Sequence, residues 1–152
     1  MQTQNHFRTA TVLFYEGRYE EAIMSINQFI ALKPRNSLAF NNRALINFNR
    51  GHSSSAKEDI ATAIQLNHLN YVAYFNLFSV YARENEPRSA LLALRGALSC
   101  LCLIKGRLLQ DKEFMTKALH YSPDNLDALL LLVLLEVQDQ NYQQAILSVD
   151  VY

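Results

Sequence analysis

The segment from Gly17 to Leu32 returns 34 residues later, with Gly17 matched by Gly51, Ala22 by Ala56, Ile26 by Ile60, Ile30 by Ile64 and Leu32 by Leu66. The next interval continues the register, pairing Ala39 with Ala73, Phe40 with Tyr74, Asn42 with Asn76 and Ala63 with Ala97. A fixed period of this length describes a stack of small units, none able to bury its own apolar face, which become stable only by leaning on their neighbours. Such stacks act mainly by holding other proteins.

Within each unit the apolar positions recur with helical spacing, and two helices joined by a tight turn account for them. In the first unit Phe7, Ala10, Leu13 and Phe14 mark one face of a first helix, and Gly17 supplies the backbone freedom of a turn. Tyr19, Ala22, Ile23, Ile26, Phe29, Ile30 and Leu32 form the expected buried stripe of the second helix, which Pro34 prevents from continuing. The small residues Ala10, Ala22, Ala44, Ala56, Ala63 and Ala90 are expected where helices approach closely.

Composition narrows the function classes. Half of the 152 residues are apolar and 18% are charged, with 14 basic and 14 acidic residues in balance. No overall field draws nucleic acid, and the one basic cluster (Arg95, Lys105, Arg107, Lys112, Lys117) is interleaved with Asp111 and Glu113 and reads as a solvated face. Ala90–Ile104 and Ala128–Leu135 are the greasiest segments; one is broken by Arg95 and Gly96 and the other is too short to span a bilayer, so buried helices are expected. Met1 to Thr9 has no long apolar run, so a signal peptide is not expected. Cys100 and Cys102 diverge on a helix and read as reduced core thiols in a cytoplasmic protein, and the four scattered histidines lack ligand spacing. No cofactor and no metal are expected. Enzyme motifs are absent, and the acidic pairs Glu20-Glu21 and Glu58-Asp59 are expected at exposed starts of second helices, where they complement the helix dipole.

These units resemble the tetratricopeptide repeats, whose period, small residues, pre-helix glycine and closing proline they share. Gly17-Arg18-Tyr19-Glu20-Glu21-Ala22-Ile23 is the closest match, and Phe40-Asn41-Asn42-Arg43-Ala44 resembles the opening of a first helix. The resemblance implies an all-α fold, a right-handed superhelical solenoid of antiparallel helix pairs, as a single domain with units at about 3–36, 37–70 and 71–101. A break of phase follows near 98–107: the next unit, about 92–125, overlaps the third, and a truncated one occupies 126–152. One helix, about Pro87 to Ile104, serving two units with a turn at Gly106, satisfies this break, as does a single helix running to His120; the turn at Gly106 is the expected arrangement. The final unit, with Tyr142 and Ala145, stops without the usual polar capping helix, which leaves Ile146 and Val149 open to another subunit or to further repeats.

The resemblance also implies where a partner sits. In this family the inner surface is lined by first helices, and the positions facing it are Phe7, Thr11, Phe14, Asn41, Asn42, Leu45, Phe48, Phe75, Asn76 and Ser79. One branch holds acidic chaperone tails in a clamp of lysines, asparagines and an arginine. Only Asn42 of that clamp is kept: Phe7 and Thr11 stand in the first unit, and Val72 and Asn76 in the third, where the cations and amide belong. Chaperone-tail binding is therefore not expected. An apolar lining with Asn42 and Asn76 suits an amphipathic helix or apolar peptide, because an amide both donates and accepts. The expected function is a non-catalytic interaction scaffold; the alternative is a structural subunit contacting partners, or a second copy, through its C-terminal end.

Overall fold

The structure is a computed structural model that describes residues 2–138, with side chains from 5 to 135. It contains eight helices and no strand among those residues: α1 (Gln2–Tyr15), α2 (Tyr19–Leu32), α3 (Ser37–Asn49), α4 (Ser53–Leu66), α5 (Tyr71–Arg83), α6 (Pro87–Leu109), α7 (Lys112–Tyr121) and α8 (Leu126–Gln138). The expected final-unit positions Tyr142, Ala145, Ile146 and Val149, and with them the missing cap, lie outside the described residues. The chain divides into two compact units, residues 1–93 and 94–152.

In the first unit the turns follow one recipe. Gly17 and Gly51 have φ of 75° and 84°, the left-handed region that only glycine enters without strain. Asn85 takes the third such position at φ 58°, asparagine being among the few residues that tolerate it. In each turn an amide reaches back to a first-helix carbonyl: Arg18 N–H to Leu13, His52 N–H to Asn47 and Glu86 N–H to Tyr81, all at 2.9 Å. The apolar stripes meet in two clusters. One holds Ala10, Leu13, Ala22, Ile26, Phe29, Ala39 and Ile46; the other holds Ala44, Phe48, Ala56, Ile60, Ala63, Ala73 and Val80. The six expected small residues are all buried. Leu32 departs from its expected stripe and is exposed, since it is the last residue of α2 and the chain is already turning toward Pro34.

Asparagine caps tie neighbouring helix pairs together within each compact unit. Asn70 Oδ1 accepts from the Ala73 amide at 3.1 Å to start α5, while its Nδ2 donates to Ser37 Oγ at 2.8 Å, and Ser37 in turn donates to the Ala63 carbonyl at 2.8 Å. The second unit repeats this chain of bonds: Asn125 accepts from the Ala128 amide and donates to Ser99 Oγ at 3.0 Å, and Ser99 donates to the Ala118 carbonyl at 3.0 Å.

The break of phase takes a different form from the expected one. Helix α6 continues through Gly106, and the turn falls at Gln110, with φ 50° and the Asp111 amide donating to the Gly106 carbonyl at 3.1 Å. Helix α7 has 10 residues where α2 and α4 have 14, and Ser99 to Ala118 spans 19 residues where Ser37 to Ala63 spans 26, so this hairpin is shorter by about two helical turns. Gly106 is glycine for space. A Cβ there would sit 1.9 Å from Met115 Cε and 3.1 Å from Phe114 Cβ, and Met115 is fully buried. Counting from each turn, the equivalent pairs are Leu13 with Ala22, Asn47 with Ala56 and Tyr81 with Ala90, large on the first helix and small on the second. Gly106 with Met115 inverts the sizes.

By length and composition α6 is the one described helix that could cross a membrane, yet Ala90, Ala93, Ala97, Cys100 and Leu103, at helical spacing, are buried along one side of it, as in a core helix.

Candidate functional site

The first-unit face built from α1, α3 and α5 gathers most of the expected residues. Thr11, Phe14, Tyr15, Asn42 and Leu45 line a small cavity of about 50 Å³ over Ala10 and Ile46. Leu45, Phe48, Asn49, Asn76 and Ser79 line a second, of about 220 Å³, over Ile60 and Val80. Leu45 is common to both, so they flank one side chain of α3.

The polar groups on this face divide by what already holds them. Thr11 Oγ1 donates to the Phe7 carbonyl and Ser79 Oγ to the Phe75 carbonyl, each at 3.0 Å within its own helix. Asn76 Nδ2 donates to Asn41 Oδ1 at 2.9 Å, and Asn41 is 4% exposed, so these two asparagines stitch α5 to α3 and Asn41 does not face an open surface. Asn42 is half-buried in the small cavity, and its amide has no partner among the described residues. Phe48 is buried. Arg83 pins it, with Nη1 donating to the Phe48 carbonyl at 2.9 Å and the guanidinium 3.5 Å above the ring.

Three of the expected residues lie apart from these cavities. Phe7 packs on Phe29, ring centroids 5.1 Å apart, and lines a separate pocket of about 430 Å³ with Arg8, Phe29, Asn36 and Leu38. Phe75 is 37% exposed and joins Tyr71 and Val72 as an apolar patch on α5, and Asn41 is interior. Sequence reasoning missed Tyr15, 81% exposed at the rim of the small cavity, and Arg83; both are first-helix positions whose neighbours drew attention instead.

Glu20 and Glu21 are exposed in the first turn of α2, as expected, whereas Glu58 and Asp59 lie beyond the first turn of α4 and Asp59 is buried. Asp59 is 6% exposed and accepts from Arg43 Nη2 at 2.6 Å and Nε at 2.9 Å, with Asn47 Nδ2 at 3.3 Å; Arg43 also donates to Asn27. The carboxylate is thus a buried tie between α3 and α4, while Glu20 meets Arg50 at 2.7 Å and Glu21 meets Arg18. Hydrogen bonding to Arg18 holds the Glu21 carboxyl below its usual range. In the second unit, burial pushes the Cys100 thiol up to about 11 and raises Cys102 as well, against the pull of Lys117 and Lys105. No group of metal-ligating side chains occurs among the described residues.

No family model matches the sequence. Sperm-associated antigen 1 of mouse and that of rat are each 34% identical over 85 residues, which is 56% of this chain and 9% of those proteins' length. Among solved structures, the first TPR of Spaghetti (RPAP3) bound to the HSP90 peptide SRMEEVD is 19% identical with TM-score 0.56, covering 90% of this chain and 91% of that one. MamA is 18% identical with TM-score 0.55 over 96% and 73% of the respective chains. YrrB, described as a TPR protein with an unusual peptide-binding site, is 17% identical with TM-score 0.52 over 95% and 81%. Repeated helix pairs, positive-φ turns at matching positions and these neighbours together identify the fold of this chain as that of the tetratricopeptide repeats.

Proposed function

We propose that this protein is a non-catalytic interaction scaffold that takes a peptide or amphipathic helix across α1, α3 and α5. The observation that carries the reading is Asn42: an amide with no partner among the described residues, set with Phe14, Tyr15 and Leu45 around the small cavity, while Leu45 also lines the larger one. Apolar side chains of a bound segment fill the cavities, and the Asn42 amide donates to and accepts from its backbone, fixing orientation without demanding a sequence. Asn76, with one amide hydrogen engaged by Asn41, contributes its Oδ1 acceptor and its second N–H. That proteins of the same fold, Spaghetti and YrrB, are described with bound peptide or a peptide-binding site supports the class of activity.

Selection of a displayed random-peptide library on the purified protein tests this. Peptides so obtained are expected to lose about ten-fold or more in affinity on Asn42→Ala or Tyr15→Ala, equivalent to the 1–3 kcal/mol of an interface anchor. Selected peptides that bind both variants as well as the parent exclude the site.

A second reading, association through the C-terminal part, is favoured by Leu126, Leu130 and Leu134, an exposed stripe at four-residue spacing on α8. Leu130→Glu is expected to shift sedimentation toward monomer, and concentration-independent sedimentation of the parent rules the reading out.

A further inference from the structure

In the first unit, charge is sorted by position along the helices. No aspartate or glutamate precedes Glu16, and none occurs from Ala22 to Lys57. The acids Glu16, Glu20 and Glu21 gather at the α1–α2 turn, leaving the start of α1, the end of α2 and the start of α3 without a carboxylate. That edge carries Arg8, Lys33 and Arg35, all exposed, whose side chains make no ion pair or hydrogen bond among the described residues. Every other cation from α1 to α5 is engaged: Arg18 with Glu16 and Glu21, Arg43 with Asp59, Arg50 with Glu20, Lys57 with Glu84 and Arg83 with Phe48.

One of these cations, Arg8, lines a pocket of about 430 Å³ with Phe7, Phe29, Asn36 and Leu38, and the other two lie in the loop Lys33-Pro34-Arg35 that precedes Asn36. Asn36 Oδ1 is occupied by the Ala39 amide, which leaves its Nδ2 to donate. The wall therefore offers donors, positive charge and apolar surface, and no acid. This is not a requirement of the repeat, since the corresponding loops, Asn67-His68-Leu69-Asn70 and Ser122-Pro123-Asp124-Asn125, contain no lysine or arginine.

We infer that this edge pocket binds an acidic segment of a partner protein, which inserts one apolar side chain beside Phe7, Phe29 and Leu38 and sets its carboxylates against Arg8, Lys33 and Arg35. The site is separate from the α1–α3–α5 cavities and does not depend on their use. A peptide fits better than a nucleic acid: Phe29 is buried and Phe7 is tilted 57° against it, so the rings form a niche for a side chain and no open platform for bases, and the chain has no net charge. Because the cations are exposed, their attraction is screened by salt and each adds little, while the inserted side chain supplies the anchor.

The test is fluorescence anisotropy of the full chain with an N-terminally labelled, C-terminally amidated peptide, EEDLFEED, so that side-chain carboxylates supply every negative charge from the peptide. Binding is expected to weaken as sodium chloride is raised. Arg8→Ala and Arg35→Ala should each weaken it by about three-fold, the yield of an exposed ion pair, and Leu38→Ser should weaken it through the anchor. The neutral QQNLFQQN and the anchorless EEDGSEED should bind more weakly than the parent peptide, and Asn42→Ala should leave binding unchanged. The inference is overturned if the neutral peptide binds as tightly, or if the arginine variants bind normally. It is equally overturned if loss follows Asn42→Ala instead, which places the peptide in the neighbouring cavities, or if a single-stranded RNA of equal charge competes more strongly than the unlabelled peptide.

Discussion

Asp59 is the buried acid of α4. It is a nearly water-free carboxylate whose compensation is Arg43, 16 residues earlier. Removing one partner of such a pair strands the other, so Asp59→Ala is expected to lower urea-measured stability by about 3 kcal/mol, with part recovered in the double variant Asp59→Ala/Arg43→Leu. Nothing local in the sequence distinguishes Asp59 from Glu58, which stays exposed; only the packing of α3 against α4 does. Phe75 is a contrary case, chosen from sequence as a groove anchor and found 37% exposed outside both cavities. With more than a third of the residue already in water, Phe75→Ala is expected to cost about 1–2 kcal/mol in thermal unfolding, less than a core phenylalanine. Cys100 is buried, as expected of a core thiol, whereas Cys102 is only partly buried. With Cys100 raised to about 11 by burial, its thiolate forms only well above neutral pH, so iodoacetamide labelling of the native protein should stay slow to about pH 9 and reach the less buried Cys102 first.

Helices and turns were largely legible because period and glycine carry them: Gly17, Gly51 and the Pro87 helix start are where repetition puts them. The turn after α6 was not, because glycine has two uses. At Gly17 it permits a positive φ; at Gly106 it makes room for Met115, and the positive φ falls to Gln110, which gives no such signal. Gln110→Gly should therefore stabilise the second unit by about 0.5–1 kcal/mol in denaturant titration. Gly106→Ala is expected to cost about 1–3 kcal/mol by overpacking, offset in part by better helix propensity, and Met115→Ala about 2–5 kcal/mol by cavity formation. The double variant should cost less than the two together, since alanine at 115 gives the new methyl its space.

Across the molecule, the stacking class was visible in the period alone, whereas the sorting of charge was hidden by a net balance of 14 against 14. The asparagine caps were hidden too, each being one polar residue in a loop, but they show how the stack distributes its stability. Asn70→Ala and Asn125→Ala act in different compact units on different serines, so each is expected to cost about 1–2 kcal/mol and their effects should add to within about 0.5 kcal/mol; marked non-additivity in chemical unfolding would show coupling through shared neighbours. The inverted pair at Gly106 and Met115 bears on how the chain avoids going astray while it folds. Near-identical hairpins invite the wrong helices to mate, because each presents similar surfaces. Met115 brought against Leu13, Asn47 or Tyr81 meets bulk with bulk, and Ala22 or Ala56 brought against Gly106 leaves a void, so α7 carries its own address and finds a comfortable seat on α6 alone.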